Sequence, residues 1–145
     1  MKRAFLLLLI FSLAAFAGCS VQAGPNPPAA PKIINSRLPL VDFKAWPQVN
    51  FKGVRILLAE NGRLASQGFA GARPADFERT LILFPSLPAG VSFTNRDQGY
   101  GPVVRDLRIA YFDRSGRLLK TDLMRRIDGV STPPPGTVVA IEGLP

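Results

Sequence analysis

Acidic and basic side chains are interspersed between positions 96 and 108, and their types could support chemistry. Paired carboxylates can hydrolyse a glycosidic bond, one as the acid and the other as base or nucleophile. Asp97 and Asp106 are the candidates for that reaction. The arginines around them work against it, because a nearby cation lowers the pKa of a carboxyl group and so opposes a general acid. We therefore assign no catalytic residue, and hydrolysis stays the alternative.

The same segment could instead bind an anion. Three arginines flank a loop in which Tyr100 stands between Gly99 and Gly101. The guanidinium fork suits carboxylate or phosphate, and a mobile Tyr100 could lie over a sugar or a peptide. The alternative is a solvated loop whose Asp–Arg pairs contribute about 0–1 kcal/mol each. The ligand-binding candidates are Arg96, Tyr100, Arg105, Arg108, Asp97 and Asp106.

Two residue counts restrict the chemistry. The sequence has no histidine and one cysteine, Cys19. Without histidine there is no Ser-His or Cys-His nucleophile system and the commonest zinc ligand is missing. A single cysteine cannot form an internal disulfide. We expect neither a metal nor a cofactor.

The net charge of +8 suits a protein beside an anionic membrane or cell wall. A nucleic-acid binder usually clusters its basic residues and interleaves them with aromatics. Here the arginines are spread along the chain. We do not expect nucleic acid as a partner.

The beginning of the chain is typical of a bacterial-type signal peptide. Lys2-Arg3 precedes the apolar run from Ala4 to Phe16, and Ala17-Gly18 supplies small residues before a cut. The apolar run is shorter than the about 20 residues that a membrane-spanning helix needs. We expect three parts: a signal peptide over residues 1–18, a Pro/Ala-rich tether over 19–36, and a single β-rich domain over 37–145.

Phe16-Ala17-Gly18-Cys19 resembles the lipobox of bacterial lipoproteins, in which a cut before the cysteine exposes it for lipid attachment. The resemblance implies that Cys19 is lipidated and that the protein contacts a membrane through this anchor. Ordinary cleavage after Ala17 or Ala23 is the open alternative, and the second cut would remove Cys19. We expect export to the cell envelope. The protein would be anchored there, with Ser20 compatible with the periplasmic face of the outer membrane, or free in the periplasm.

The clearest supersecondary unit is a hairpin. Apolar residues alternate from Leu107 to Phe112, which predicts a half-buried strand. The next four residues, Asp113 to Gly116, place Asp first and Gly fourth, which is typical of a type I turn. Residues 118–124 then return as the second strand. We expect Gly116 to close the turn, and Ile109 and Tyr111 to share a face.

Shorter patterns indicate the rest of the fold. In residues 54–58, Val54, Ile56 and Leu58 would lie on one face of an extended strand and Arg55 on the other. This pattern predicts a half-buried strand with the apolar residues on its buried face. The apolar run 81–84 predicts a strand covered on both faces, and short helices are expected over 63–69 and 76–79. The predicted fold class is mainly β (α+β). We expect a small antiparallel, partly closed β-barrel-like domain with one or two short helices.

An ordered series of short motifs carries a family resemblance. The series resembles the family catalogued as domain of unknown function 192, over roughly residues 51–145. The motifs are Gly68-Phe69, Leu83-Phe84-Pro85, Val91-Ser92-Phe93, Ile109-Ala110-Tyr111-Phe112-Asp113 with Gly116-Arg117-Leu118, and Ile141-Glu142-Gly143-Leu144-Pro145. The resemblance implies a compact β-rich fold in an exported or lipid-anchored protein, with no established activity. Arg108 stands where that family has an acidic residue.

These observations favour a non-catalytic module. We expect an exported, lipid-anchored envelope protein that binds or scaffolds an anionic envelope ligand or a protein partner. The alternative is a carboxylate-dependent hydrolase acting on cell-envelope glycan. The mainly apolar residues 137–141 predict a final strand. Glu142 follows it and is expected to pair with an arginine, which would tie down the end of the chain.

Overall fold

The computed structural model describes residues 37–145. The predicted signal peptide, the tether and Cys19 lie outside the described residues. The described part is mainly β, as predicted, with two short α-helices and one 3₁₀ helix. In chain order the elements are the 3₁₀ helix Phe43–Ala45, β1 Gln48–Phe51, β2 Val54–Leu58, α1 Gly62–Gln67, α2 Pro74–Phe77, β3 Thr80–Phe84, β4 Phe93–Thr94, β5 Leu107–Phe112, β6 Leu118–Met124, β7 Val130–Ser131 and β8 Val139–Gly143.

Six of these strands form one sheet in the order β1-β2-β3-β8-β5-β6, and β4 pairs with β7 in a second, two-stranded sheet. Neighbouring strands of the large sheet are antiparallel except β2 and β3, which are parallel. The sheet is therefore mixed and has β1 and β6 at its edges.

The parallel pair depends on the crossover between β2 and β3. Parallel neighbours need a connection of a dozen or more residues, and α1 and α2 lie in that connection. Asn61 caps α1 by accepting a hydrogen bond from the Leu64 amide over 3.1 Å. In α2 the carboxylate of Asp76 accepts from the Arg73 amide over 2.9 Å. No helix among residues 37–145 has the length and apolar character to cross a bilayer.

The core lies between one face of the sheet and the segments that contain the helices. Leu57, Ile82 and Ile109 are fully buried on that face, and cross-strand pairing aligns Leu57 with Ile82. Stacked aromatic rings from outside the sheet cover it, with Phe69 and Phe77 4.9 Å apart between centroids.

Two sequence expectations about strand faces are corrected. In β2 the residues at 54, 56 and 58 are only partly buried, and the fully buried residue is Leu57, on the same face as Arg55. Arg55 is accommodated there because its guanidinium donates to the Thr80 hydroxyl over 3.1 Å. In β3, Leu81 and Leu83 are partly exposed, because the helical layer covers the other face of the strand.

The predicted hairpin is confirmed. β5 and β6 pair from Leu107 opposite Met124 to Phe112 opposite Leu118, and Gly116 has a φ of +81° in the turn. Ile109 and Tyr111 share the buried face. The open end of this hairpin, beyond Leu107 and Met124, positions the candidate site.

Candidate functional site

Asp97 shapes a loop. Its Oδ1 accepts hydrogen bonds from the Gly99 amide over 2.7 Å and from the Gly101 amide over 2.9 Å. Both glycines have φ above +90°, a conformation that other residues rarely adopt. The carboxylate is thus occupied by the backbone of the loop that precedes β5.

Tyr100 is not the exposed, mobile aromatic that the sequence suggested. Its side chain is buried, with 8% of the residue exposed. The Gly99 carbonyl beside it accepts from the Leu38 amide over 2.8 Å, which ties the loop to the segment that begins the described chain. Tyr100 therefore packs into the domain.

The three predicted arginines lie in different settings. Arg108 alternates with the buried Leu107 and Ile109 along β5, so it occupies the opposite, outer face of the sheet. Arg96 is exposed, and its backbone amide donates to the Thr94 hydroxyl over 3.1 Å. The third, Arg105, lines a cleft together with Asp106.

That cleft opens at the end of the β5–β6 hairpin and has a volume of about 540 Å³. We call it the arginine cleft. Two short segments line it, one before β5 and one after β6. Its lining residues are Val104, Arg105, Asp106, Arg125 and Arg126.

Asp106 holds the two segments of the arginine cleft together. Its Oδ1 accepts from the backbone amide of Arg126 over 2.8 Å, and its Oδ2 pairs with Nη1 of Arg125 over 2.9 Å. The hydrogen bond from the Arg126 amide and then that from Arg125 lower the pKa of Asp106. The carboxylate is ionised at neutral pH, so three arginines and one negative charge line the cleft.

Asn95 fixes the wall on the β6 side. It is fully buried, and its Nδ2 donates to the carbonyls of Met124 over 3.2 Å and Arg125 over 2.9 Å. Its own backbone amide donates to the Gly129 carbonyl over 2.8 Å. Asn95 is a positioning residue, because it sets the backbone from which Arg125 projects.

A tight turn over residues 125–129 completes that wall. The Gly129 amide donates to the Arg125 carbonyl over 2.8 Å. A Cβ on Gly129 would lie 2.4 Å from the backbone N and O of Arg125, so a side chain does not fit there without a shift. Ile127, at the centre of the turn, has a φ of +73°, an outlier for a β-branched residue.

A buried polar chain lies on the core face, away from the sequence-predicted site. The Tyr111 hydroxyl donates to Ser131 Oγ over 2.6 Å, and the Ser131 hydroxyl donates to Asp122. Lys120 Nζ lies 2.7 Å from Asp122 Oδ2. Burial raises the pKa of Tyr111 to about 12. A protonated Tyr111 thus joins the hairpin to β7.

Glu142 is the buried acid that the sequence misplaced. It lies within β8 rather than beyond the last strand, between Ile82 and Ile109 in cross-strand register. It forms no ion pair within residues 37–145. Burial raises its pKa to about 8, so it carries a proton at neutral pH. The expected pairing with an arginine is wrong, because apolar neighbours favour the neutral acid.

The described residues contain no group of three or more Asp, Glu, His or Cys side chains that could hold a metal ion. Comparisons of the chain with protein-family models, with curated proteins and with solved structures found no match. The resemblance to the family catalogued as domain of unknown function 192 stays a prediction.

Proposed function

We propose that this protein is an exported, lipid-anchored envelope module that binds an anionic group in the arginine cleft without catalysis. One observation carries the proposal: Arg105, Arg125 and Arg126 line an open cleft in which a single carboxylate is already engaged by backbone and side chain. The excess positive charge attracts an anion. Guanidinium groups bind carboxylate or phosphate oxygens through paired N–H donors.

The ligand test is titration calorimetry with glycerol phosphate as the probe. R105Q/R126Q should lower the affinity at least about tenfold, because each removes a charge-assisted hydrogen-bond donor. The matched control is R108Q, which removes an exposed arginine from the outer sheet face and should bind like the parent protein. Affinity should also fall with added salt, since exposed charges are screened over about 10 Å at 0.1 M. Equal affinity in R105Q/R126Q and the parent would contradict the proposal.

The anchor is tested separately by intact mass and fractionation. A lipidated Cys19 adds the mass of its acyl chains and places the protein in the detergent phase. Cys19→Ser should move it out of the detergent phase. A parent protein that is soluble with an unmodified N-terminus near Gly18 or Gly24 would contradict the anchor and leave the cleft proposal standing.

Glycan hydrolysis, the alternative, has less support. Asp97 is bound by loop amides, and Asp106 has a lowered pKa, so neither carboxyl is suited to be a general acid. Glu142 has the raised pKa of an acid, but it lies in the core between two isoleucines. Hydrolysis of a glycan substrate by the parent protein, lost in D106N, would favour this alternative.

A further inference from the structure

Two exposed aliphatic side chains border the arginine cleft. Val104, which lines it, is 52% exposed, and Ile127, next to Arg126, is 55% exposed. The Ile127 amide donates to the Val103 carbonyl over 2.8 Å, so the segments that carry Val104 and Ile127 lie side by side. Apolar and cationic side chains therefore share one end of the domain.

Ile127 is held outward by a strained backbone. Its φ of +73° is costly for a β-branched residue, and a side chain that is 55% exposed gains little from burial to offset this cost. Hydrogen bonds between Asp128 and Arg126 and between Gly129 and Arg125 maintain the conformation. Transfer of the exposed Ile127 side chain into an apolar medium would offset the cost of this backbone conformation.

We infer that the arginine cleft, Val104 and Ile127 together form a contact surface for an anionic phospholipid membrane. This inference rests on the proposed function and names its ligand: the phosphate of a lipid headgroup. The arginines bind headgroup phosphates, while the two aliphatic side chains enter the boundary between headgroups and acyl chains. Interfacial binding of this kind combines buried apolar area with attraction to anionic lipid.

Charge complementarity favours lipid over a protein partner. Residues 37–145 contain 15 of the 18 basic residues and all 10 acidic residues. Basic residues therefore outnumber acidic ones in the domain, and its net charge is positive. Basic residues near an anionic leaflet attract it without needing a fixed complementary shape. The expected anchor at Cys19 would add to this attraction by keeping the domain close to the same membrane.

The test is cosedimentation with vesicles, using residues 19–145 with Cys19→Ser so that no acyl chain contributes. The whole described core lies within residues 37–145, so this chain keeps it. We expect binding to vesicles of phosphatidylcholine with phosphatidylglycerol and little binding to phosphatidylcholine alone. V104S/I127N should weaken binding about tenfold or more, because apolar groups are withdrawn from the interface.

The Ile127→Asn change also separates binding from folding. Asn tolerates positive φ better than Ile, so I127N should unfold at the same or a higher urea concentration than the parent while binding vesicles less. The matched control is Leu118→Ser, an equally exposed aliphatic residue at the other end of the hairpin. L118S should bind vesicles like the parent.

The possible outcomes are distinct. Undiminished vesicle binding by V104S/I127N overturns the inference, as does equal binding to neutral vesicles. Binding of glycerol phosphate without binding of anionic vesicles leaves the proposed function standing and overturns the membrane contact. Binding of polyglutamate in place of vesicles assigns the surface to an acidic protein partner. Failure to bind either glycerol phosphate or vesicles contradicts both proposals.

Discussion

Arg125 and Asp106 form an ion pair, with Nη1 of Arg125 2.9 Å from Oδ2 of Asp106. The pair continues the β5–β6 ladder by one position beyond Leu107 and Met124. The ion pair connects the two segments of the arginine cleft. The other two arginines of the cleft, Arg105 and Arg126, have no ion-pair partner among residues 37–145. Asp106 thus organises the cleft and also limits its positive charge.

Asp106→Asn should therefore increase anion affinity. The amide oxygen can still accept from the Arg126 backbone, while the competing negative charge is removed. We expect glycerol phosphate to bind roughly threefold to tenfold tighter at low salt, as Coulomb attraction over a few Å implies. Titration calorimetry at two salt concentrations measures it. Weaker binding by D106N would contradict this expectation, because the hold of Asp106 on Arg125 would then matter more than the negative charge that it adds.

Asn95→Ala should destabilise the protein and loosen the turn after β6. It removes two hydrogen bonds to main-chain carbonyls, one of them buried and the other partly buried, a loss of about 1–3 kcal/mol in the free energy of unfolding. Urea denaturation gives the stability, and amide exchange at Arg126 and Ile127 reports the turn. The control is Asn50→Ala on the exposed edge strand, which should stay within about 0.5 kcal/mol of the parent. Equal stabilities for the two variants would contradict the role of Asn95.

Glu142 should make the protein less stable as the pH rises. The folded state keeps the proton of Glu142 up to about pH 8, whereas the unfolded chain releases it near pH 4.5. Its stabilising contribution is fully present below pH 4.5 and is lost as the pH rises to about 8. Between these values the free energy of unfolding should fall by up to about 1.4 kcal/mol per pH unit from this group.

Urea denaturation of E142Q from pH 4.5 to 8 measures that slope. The variant has no proton to release, so its stability should vary less with pH than that of the parent. Glu60→Gln, at an exposed site, should keep the slope of the parent. An unchanged slope in E142Q would mean that Glu142 is ionised in the folded protein.

Gly129→Ala should deform the turn that presents Arg125 and Arg126. The new Cβ would lie 2.4 Å from backbone atoms of Arg125, and overpacking of this kind costs about 1–3 kcal/mol. Gly62→Ala is the control, because nothing lies within 4 Å of its Cβ position and alanine favours the helix that begins there. G62A should unfold at an equal or higher temperature than the parent, and G129A at a lower one. Matching thermal shifts would contradict this reasoning.

The sequence predicted the parts of the fold that depend on local patterns. The hairpin followed from alternation and from the turn ending at Gly116, and both short helices lie within a few residues of their predicted positions. The buried face of β2 was missed because every residue of that strand except Arg55 is apolar. Leu57 is buried since the helical crossover covers its face, which is a tertiary effect.

The candidate site was predicted only in part. Arg105 and Asp106 were singled out, but their partners were not, because Arg125 lies 19 residues away in sequence. The register of the hairpin would have predicted this partner. Leu107 pairs with Met124, and extending the pairing by one position places Asp106 opposite Arg125. No comparable pattern in the sequence identifies Asn95, whose role depends on contact with a strand 29 residues further on.

The central claim is that the arginine cleft binds an anion, and side-chain nuclear magnetic resonance tests it most directly. The Nε–Hε signals of Arg105, Arg125 and Arg126 would be followed while glycerol phosphate is added to the protein at low salt. We predict that these signals shift and saturate together, while those of Arg63 and Arg117, outside the cleft, stay in place. Shifts of similar size at all five arginines, or no shift at the three cleft residues, would contradict the claim.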